Sequence, residues 1–209
     1  MKIAVVCANG RVGQLVVKEA VDRGMEVTAI ARGENKSAVP RFISKDVFDL
    51  TADDLSGFDA VVDAFGAWTP ETIPGIPAAM KHLADLVAGT DTRLLVVGGA
   101  GSLFVNPEHT ATLDMSPDFP EDWKPLSAAH GEGLADLRAR TDVKWTYVSP
   151  AADFQADGPR TGSYILGGEK LTLSEDGVSE VSYADYAIAM VDEIKAGEHV
   201  CERISVVRK

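Results

Sequence analysis

Cys7-Ala8-Asn9-Gly10-Arg11-Val12-Gly13 follows a short apolar run and precedes a helical pattern. Strand, glycine-rich turn and helix in that order suit the capture of a pyrophosphate. Gly10 would let the backbone approach it, and Gly13 would let the helix pack on the strand. The helix N-terminus would add unpaired N–H groups and the positive end of its dipole. Cys7 stands where the first glycine of such turns is usual, which is tolerable if the turn keeps φ negative there. The next apolar run ends Ala29-Ile30-Ala31-Arg32, with no carboxylate to hold ribose hydroxyls. Arg32 stands where a 2′-phosphate would lie, with Arg11 and Lys36 in reach, and a guanidinium fork matches phosphate geometry. The pattern predicts NADP(H) over NAD(H); the plainer reading of Arg32 is a solvated surface residue. Cys7 is read as a small buried filler, the alternative being a thiolate stabilised by the helix N-terminus. The four histidines (His82, His109, His130, His199) show no metal-ligand spacing among themselves or with the cysteines.

These residues need a scaffold, and the chain supplies one by alternation. Lys2–Cys7, Glu26–Ala31, Arg41–Ser44, Asp59–Ala64, Arg93–Gly98 and Lys144–Ser149 read as buried strands. Val12–Asp22, Ala78–Ala88, Leu126–Arg140 and Tyr183–Ala196 read as helices, and Arg203–Val207 as a last strand. Such alternation predicts an α/β fold, a Rossmann-type doubly wound parallel sheet. Residues 102–124 lack periodicity but carry Phe104, Phe119 and Trp123, and read as a partly ordered flap over the site. Gly162–Leu166 and Lys170–Leu173 flank Gly167-Gly168 and read as a hairpin within a substrate-side region, 155–182. The 209 residues are read as one domain with this small C-terminal elaboration.

Composition narrows the partners. Lys+Arg is 20 and Asp+Glu is 32, a net charge of −12, which argues against coating nucleic acid or an anionic membrane. No apolar run approaches the ~18 residues of a membrane span, and the N-terminal apolar run is too short for a signal peptide. Cys7 and Cys201 lie in strand-like runs far apart and form no disulfide framework, so a cytoplasmic location is expected.

Further segments complete a resemblance: Asp46-Val47-Phe48-Asp49, Val61-Val62-Asp63-Ala64-Phe65-Gly66, Val96-Val97-Gly98-Gly99-Ala100-Gly101-Ser102, Ser149-Pro150-Ala151-Ala152-Asp153-Phe154, Arg160-Thr161-Gly162-Ser163-Tyr164 and Ser182-Tyr183-Ala184-Asp185-Tyr186-Ala187. Together with the N-terminal turn they resemble the atypical short-chain dehydrogenases over essentially the whole chain. The nearest group is the NmrA-like NAD(P)H-binding proteins, especially bacterial NADH-flavin reductases, which are similar to the flavin reductase/biliverdin reductase B group. The resemblance implies that Ala8, Asn9, Gly10, Arg11, Val12, Gly13 and Arg32 bind the nucleotide. It further implies that Asp46 and Val47 meet the adenine, and that Ala64, Phe65 and Gly66 line the ribose and pyrophosphate. Pro150 and Ala151 would border the nicotinamide, with Ser102 beside it.

The main short-chain dehydrogenase group uses a Tyr-x-x-x-Lys pair, and none exists here. His130 occupies roughly the tyrosine's place and Leu134 the lysine's, so alcohol–ketone interconversion lacks its proton partner. Reduction of a flavin or quinone survives that loss, because the cofactor supplies the hydride and the acceptor ring spreads the charge. Ser102 and His130 are the candidate catalytic residues, His130 as a proton relay with a pKa near neutrality; turn chemistry and packing are the plain alternatives. Trp68, Phe104, Trp123 and Phe154 are candidate walls for a planar small-molecule acceptor. The expected protein is an NADPH-dependent reductase, a monomer or homodimer. The competing reading is a non-catalytic redox sensor of the NmrA type. An epimerase acting on a nucleotide sugar is a more distant one.

Overall fold

A computed structural model describes residues 1–209. Its centre is an eight-stranded sheet built from β1 (Lys2–Val6), β2 (Glu26–Ala31), β3 (Phe42–Ser44), β4 (Ala60–Asp63), β5 (Arg93–Val97), β6 (Lys144–Ser149), β8 (Tyr164–Gly167) and β10 (Glu202–Arg208). The order is β3-β2-β1-β4-β5-β6-β10-β8, all parallel except β8. The helices are α1 (Arg11–Asp22), α2 (Gly75–Val87), α3 (Lys124–Arg138) and α4 (Tyr183–Ala196). The doubly wound expectation therefore holds.

Strand β1 shows why the apolar runs are continuous. Ile3 and Val5 face one apolar layer with Val16 and Val17 of α1 and Ala187 and Met190 of α4. Ala4 and Val6 face the other, with Ile76 and Leu83 of α2 and Leu134 and Leu137 of α3. A strand covered on both faces has no polar side to show. The strand order reverses direction at β1, between β2 and β4, and ligand crevices open at such switch points beyond the strands' carboxyl ends. No helix is long and apolar enough to cross a membrane.

Two local expectations fail. The segment around Gly167-Gly168 is not a hairpin. Only Tyr164–Gly167 is a strand, and it pairs antiparallel with β10, while Lys170 bridges to Phe104 at the base of the flap. Long-range ladders outcompete the local turn signal. A separate two-stranded sheet joins β7 (Asp153–Gln155) to β9 (Glu180–Ser182), which sequence periodicity does not reveal. Cys201 lies exposed in a turn rather than inside a strand.

Candidate functional site

A cleft of about 630 Å³ opens at the switch point. Its walls come from the β1–α1 turn, the end of β2 with its following loop, and the segments after β3 and β4. Arg11, Val12, Arg32, Lys36, Asp46, Val47, Ala64, Phe65 and Gly66 all line it.

The turn departs from expectation at Cys7, whose φ is +59°, not negative. The geometry demands the left-handed region there, and cysteine accepts a cost of about 1–2 kcal/mol that glycine would avoid. Gly10 donates its N–H to the Cys7 carbonyl at 2.9 Å. A Cβ on Gly13 would lie 2.7 Å from that same carbonyl oxygen, so only glycine lets α1 sit this close to the turn. No side chain caps α1 and no acidic residue occupies its first turn. Its leading N–H groups are left for an external anion. Ala8 is a correction: it is fully buried, donates to the Ile30 carbonyl at 3.1 Å, and is absent from the cleft wall.

Asn9 has a role beyond lining the cleft. Its amide donates to the carbonyls of Arg32 (3.2 Å) and Glu34 (2.9 Å), and its Oδ1 accepts the Lys36 N–H at 3.0 Å. One side chain thus ties the phosphate turn to the loop that presents the cations. Arg32 is 82% exposed, with Asp46 at 3.6 Å. Lys45 also lines the cleft, but its ammonium is engaged by both oxygens of Asp54 at 2.7 Å. Arg11 pairs with the exposed Asp157 and lies 5.9 Å from the centre of the Tyr183 ring. An acidic protein therefore keeps Arg11, Arg32 and Lys36 at one corner of the crevice.

A smaller, mostly apolar pocket of about 160 Å³ adjoins the cleft. Trp68, Gly98, His130, Phe154 and Tyr183 line both spaces. Trp123, Phe119 and Leu113 of the flap, Leu126 of α3, and Pro150 and Ala151 after β6 complete it. Trp68, Trp123 and Phe154 therefore line this pocket. Phe104 does not: it stacks on His109 at 4.5 Å and faces Arg203 at 5.9 Å. Ser102 is also turned away, its hydroxyl and carbonyl accepting from buried Arg203 at 2.9 and 3.1 Å. The flap base is zipped to residues 169–171, which draws both residues behind the pocket. The serine that does line the pocket is Ser127, which donates to Asp114 at 2.6 Å. Its signal in the sequence was its place three residues before His130 on one helix.

His130 lies where the two spaces meet. Burial lowers its pKa to about 4 rather than leaving it near neutrality, because the surroundings penalise the imidazolium. It is therefore neutral at pH 7, a hydrogen-bonding group and not an acid. An unfolded histidine takes up its proton near pH 6.5, so this site costs stability as pH falls from there toward 4.

Asp63, at the end of β4, was missed as an ionisable group. It is 2% exposed, accepts the Phe65 N–H at 2.9 Å, and burial raises its pKa to about 7. The native state holds this proton between about pH 4 and 7 while the unfolded state releases it, so stability falls as pH rises through that window. Asp63→Asn should leave the melting temperature nearly unchanged near pH 3.5 and raise it at pH 8, where the stability gain is at most about 4 kcal/mol. Thermal melts at the two pH values test this, and equal destabilisation at both would refute it.

The profile of the NAD(P)H-binding family matches residues 7–194. The chain belongs to that family. It is 45% identical over 209 residues to the uncharacterized protein YwnB of Bacillus subtilis, covering 99% of this chain and 98% of that one. A crystal structure from Streptococcus pneumoniae, of a protein provisionally named an NADH-flavin reductase, is 54% identical with a TM-score of 0.98 over 100% of both chains. Another from Bacteroides thetaiotaomicron, provisionally named an epimerase, is 36% identical with a TM-score of 0.86, over 99% of this chain and 96% of that one. The family's nicotinamide nucleotide fits what this chain offers: an uncapped helix N-terminus, a turn where a Gly13 side chain would collide, and a cationic corner.

Proposed function

We propose that the protein is an NADPH-dependent reductase of a flavin, quinone or similar planar acceptor. The observation that carries this reading is the union of the two spaces. A cleft suited to a dinucleotide runs into an apolar, aromatic pocket through shared walls at Trp68, His130, Phe154 and Tyr183. When bound, the nicotinamide nucleotide supplies hydride. The chain's own residues do the rest. The first turn of α1 receives the pyrophosphate, and Arg32 with Lys36 and Arg11 receives the 2′-phosphate. Asp46 and Val47 border the adenine, and Ala64, Phe65 and Gly66 the ribose. Pro150 and Ala151 border the nicotinamide side. Trp68, Trp123 and Phe154 offer flat faces that orient a planar acceptor. Neutral His130 offers a hydrogen bond and no proton, which suits an acceptor that takes its proton from solvent.

The name of the Streptococcus pneumoniae relative supports a flavin as acceptor. The epimerase name of another relative finds less support, since Leu134 is buried where a lysine would be needed and no tyrosine precedes it by four residues. The free thiols of Cys7 and Cys201 favour a reducing, cytoplasmic setting.

Steady-state oxidation of NADPH with FMN, FAD and quinones tests the reading. Turnover with at least one is expected. Tight nucleotide binding with no oxidation by any acceptor would transfer the assignment to a redox sensor. His130→Ala should lower kcat/KM for the acceptor about tenfold, as expected for one hydrogen bond lost in a desolvated site, with the nucleotide Kd unchanged. Unchanged turnover would remove His130 from the mechanism.

A further inference from the structure

Tyr147 on β6 is fully buried, yet its hydroxyl sits between two groups at the head of the pocket. It accepts the Gly99 N–H at 2.9 Å. It lies 3.3 Å from His130 Nδ1 and 3.4 Å from the His130 carbonyl. The loop after β5 is shaped around this pair. A Cβ on Gly98 would overlap the Tyr147 ring, and one on Gly99 would lie 3.0 Å from His130 Cγ. The other ring nitrogen, Nε2, has no protein partner and is not sealed from the cleft that His130 lines.

We propose that Tyr147 is a positioning residue that fixes the tautomer of His130, so that Nε2–H donates a hydrogen bond into the acceptor pocket. A phenol has one proton to give. Its oxygen is already engaged by the Gly99 N–H, which makes it a poor acceptor for a second N–H. The His130 carbonyl lies inside α3, where the helix ladder already takes one of its lone pairs, and at 3.4 Å it is the farther of the two acceptors. The bare Nδ1 lone pair is the remaining good acceptor, and a proton barred from Nδ1 resides on Nε2. Burial pushes the Tyr147 phenol above its usual pKa, so it keeps the proton that it donates. The acceptor class follows: a ring carrying a carbonyl oxygen or an imine nitrogen that gains negative charge on reduction, as in flavins and quinones. A substrate presenting only donors would leave Nε2–H unpaired.

This inference deepens the reductase reading and rests on it for the acceptor, but the tautomer is measurable without any nucleotide. Long-range ¹H–¹⁵N NMR of the ligand-free protein at pH 7 should show His130 protonated at Nε2 and bare at Nδ1. Adding 1,4-naphthoquinone should shift the Nε2 resonance. Tyr147→Phe should mix the tautomers and raise the acceptor KM about fivefold, the worth of one neutral hydrogen bond, with the nucleotide Kd unchanged. A wild-type spectrum with the proton on Nδ1 overturns the proposal, even if Tyr147→Phe fails to fold. An Nε2 signal indifferent to naphthoquinone overturns the donation into the pocket. An Nε2–H tautomer in a protein that reduces no acceptor would sink the reductase reading and leave the Tyr147–His130 assignment standing.

Discussion

If Arg32 receives the 2′-phosphate as proposed, Arg32→Glu is expected to lower affinity for NADPH by about 100-fold and to leave NADH binding within about threefold. A guanidinium–phosphate contact is worth about 1.5–3 kcal/mol, and the reversed charge adds repulsion. The effect stays at this size because Arg32 is 82% exposed, with solvent screening its field. The two nucleotides differ only at the 2′ position, so the ratio of the two affinities isolates this corner. Fluorescence titration of both nucleotides, repeated at low and high salt, measures it. Equal losses for the two would assign Arg32 to the shared part of the ligand. No loss for either would return it to the solvated surface.

Asp185→Ala is expected to destabilise the fold by about 3 kcal/mol, because it removes the buried acceptor shared by three donors of the Thr161–Gly162 loop. Asp185 is 1% exposed, and its carboxylate accepts the Thr161 N–H at 2.9 Å, the Thr161 hydroxyl at 2.7 Å and the Gly162 N–H at 2.9 Å. Its own N–H is capped by Ser182 at 3.0 Å, so the start of α4 and the loop before β8 share one anchor. At about 2–4 °C per kcal/mol for a chain of this size, a fall in Tm of roughly 10 °C is expected. Asp185→Asn, which keeps an acceptor, should recover part of it. A melt unchanged for Asp185→Ala would show that water satisfies the Thr161–Gly162 loop.

The contrast between Asp185 and His130 shows which kind of information the sequence carries. Strands β2 and β6 and helix α4 fall where their residue patterns place them, because each pattern records its own burial. The glycine-rich turn and Arg32 at the end of β2 were legible for the same reason, because turn chemistry and strand ends are local, while Asp46, Val47 and Ala64–Gly66 were reached only through the family resemblance. What escaped depends on partners far along the chain. Ser102 and Phe104 lie next to the glycine-rich loop but face Arg203, about a hundred residues later. The Gly167-Gly168 signal gave way to β10. The Thr161–Asp185 clasp, the neutral state of His130 and the proton held by Asp63 are products of burial, which no single residue type announces.

Cys7 carries a consequence for the chemistry proposed. Reduced flavins and quinols pass electrons to dioxygen and release peroxide, which attacks thiolates. Burial, reinforced by Asp63, raises the Cys7 thiol to about 12, against a smaller opposing pull from Arg32. At neutral pH only about one molecule in a hundred thousand then exposes the vulnerable anion. The neck of the phosphate turn would thereby be shielded from the by-product of the proposed reaction, and a sulfur atom can serve there as inert packing.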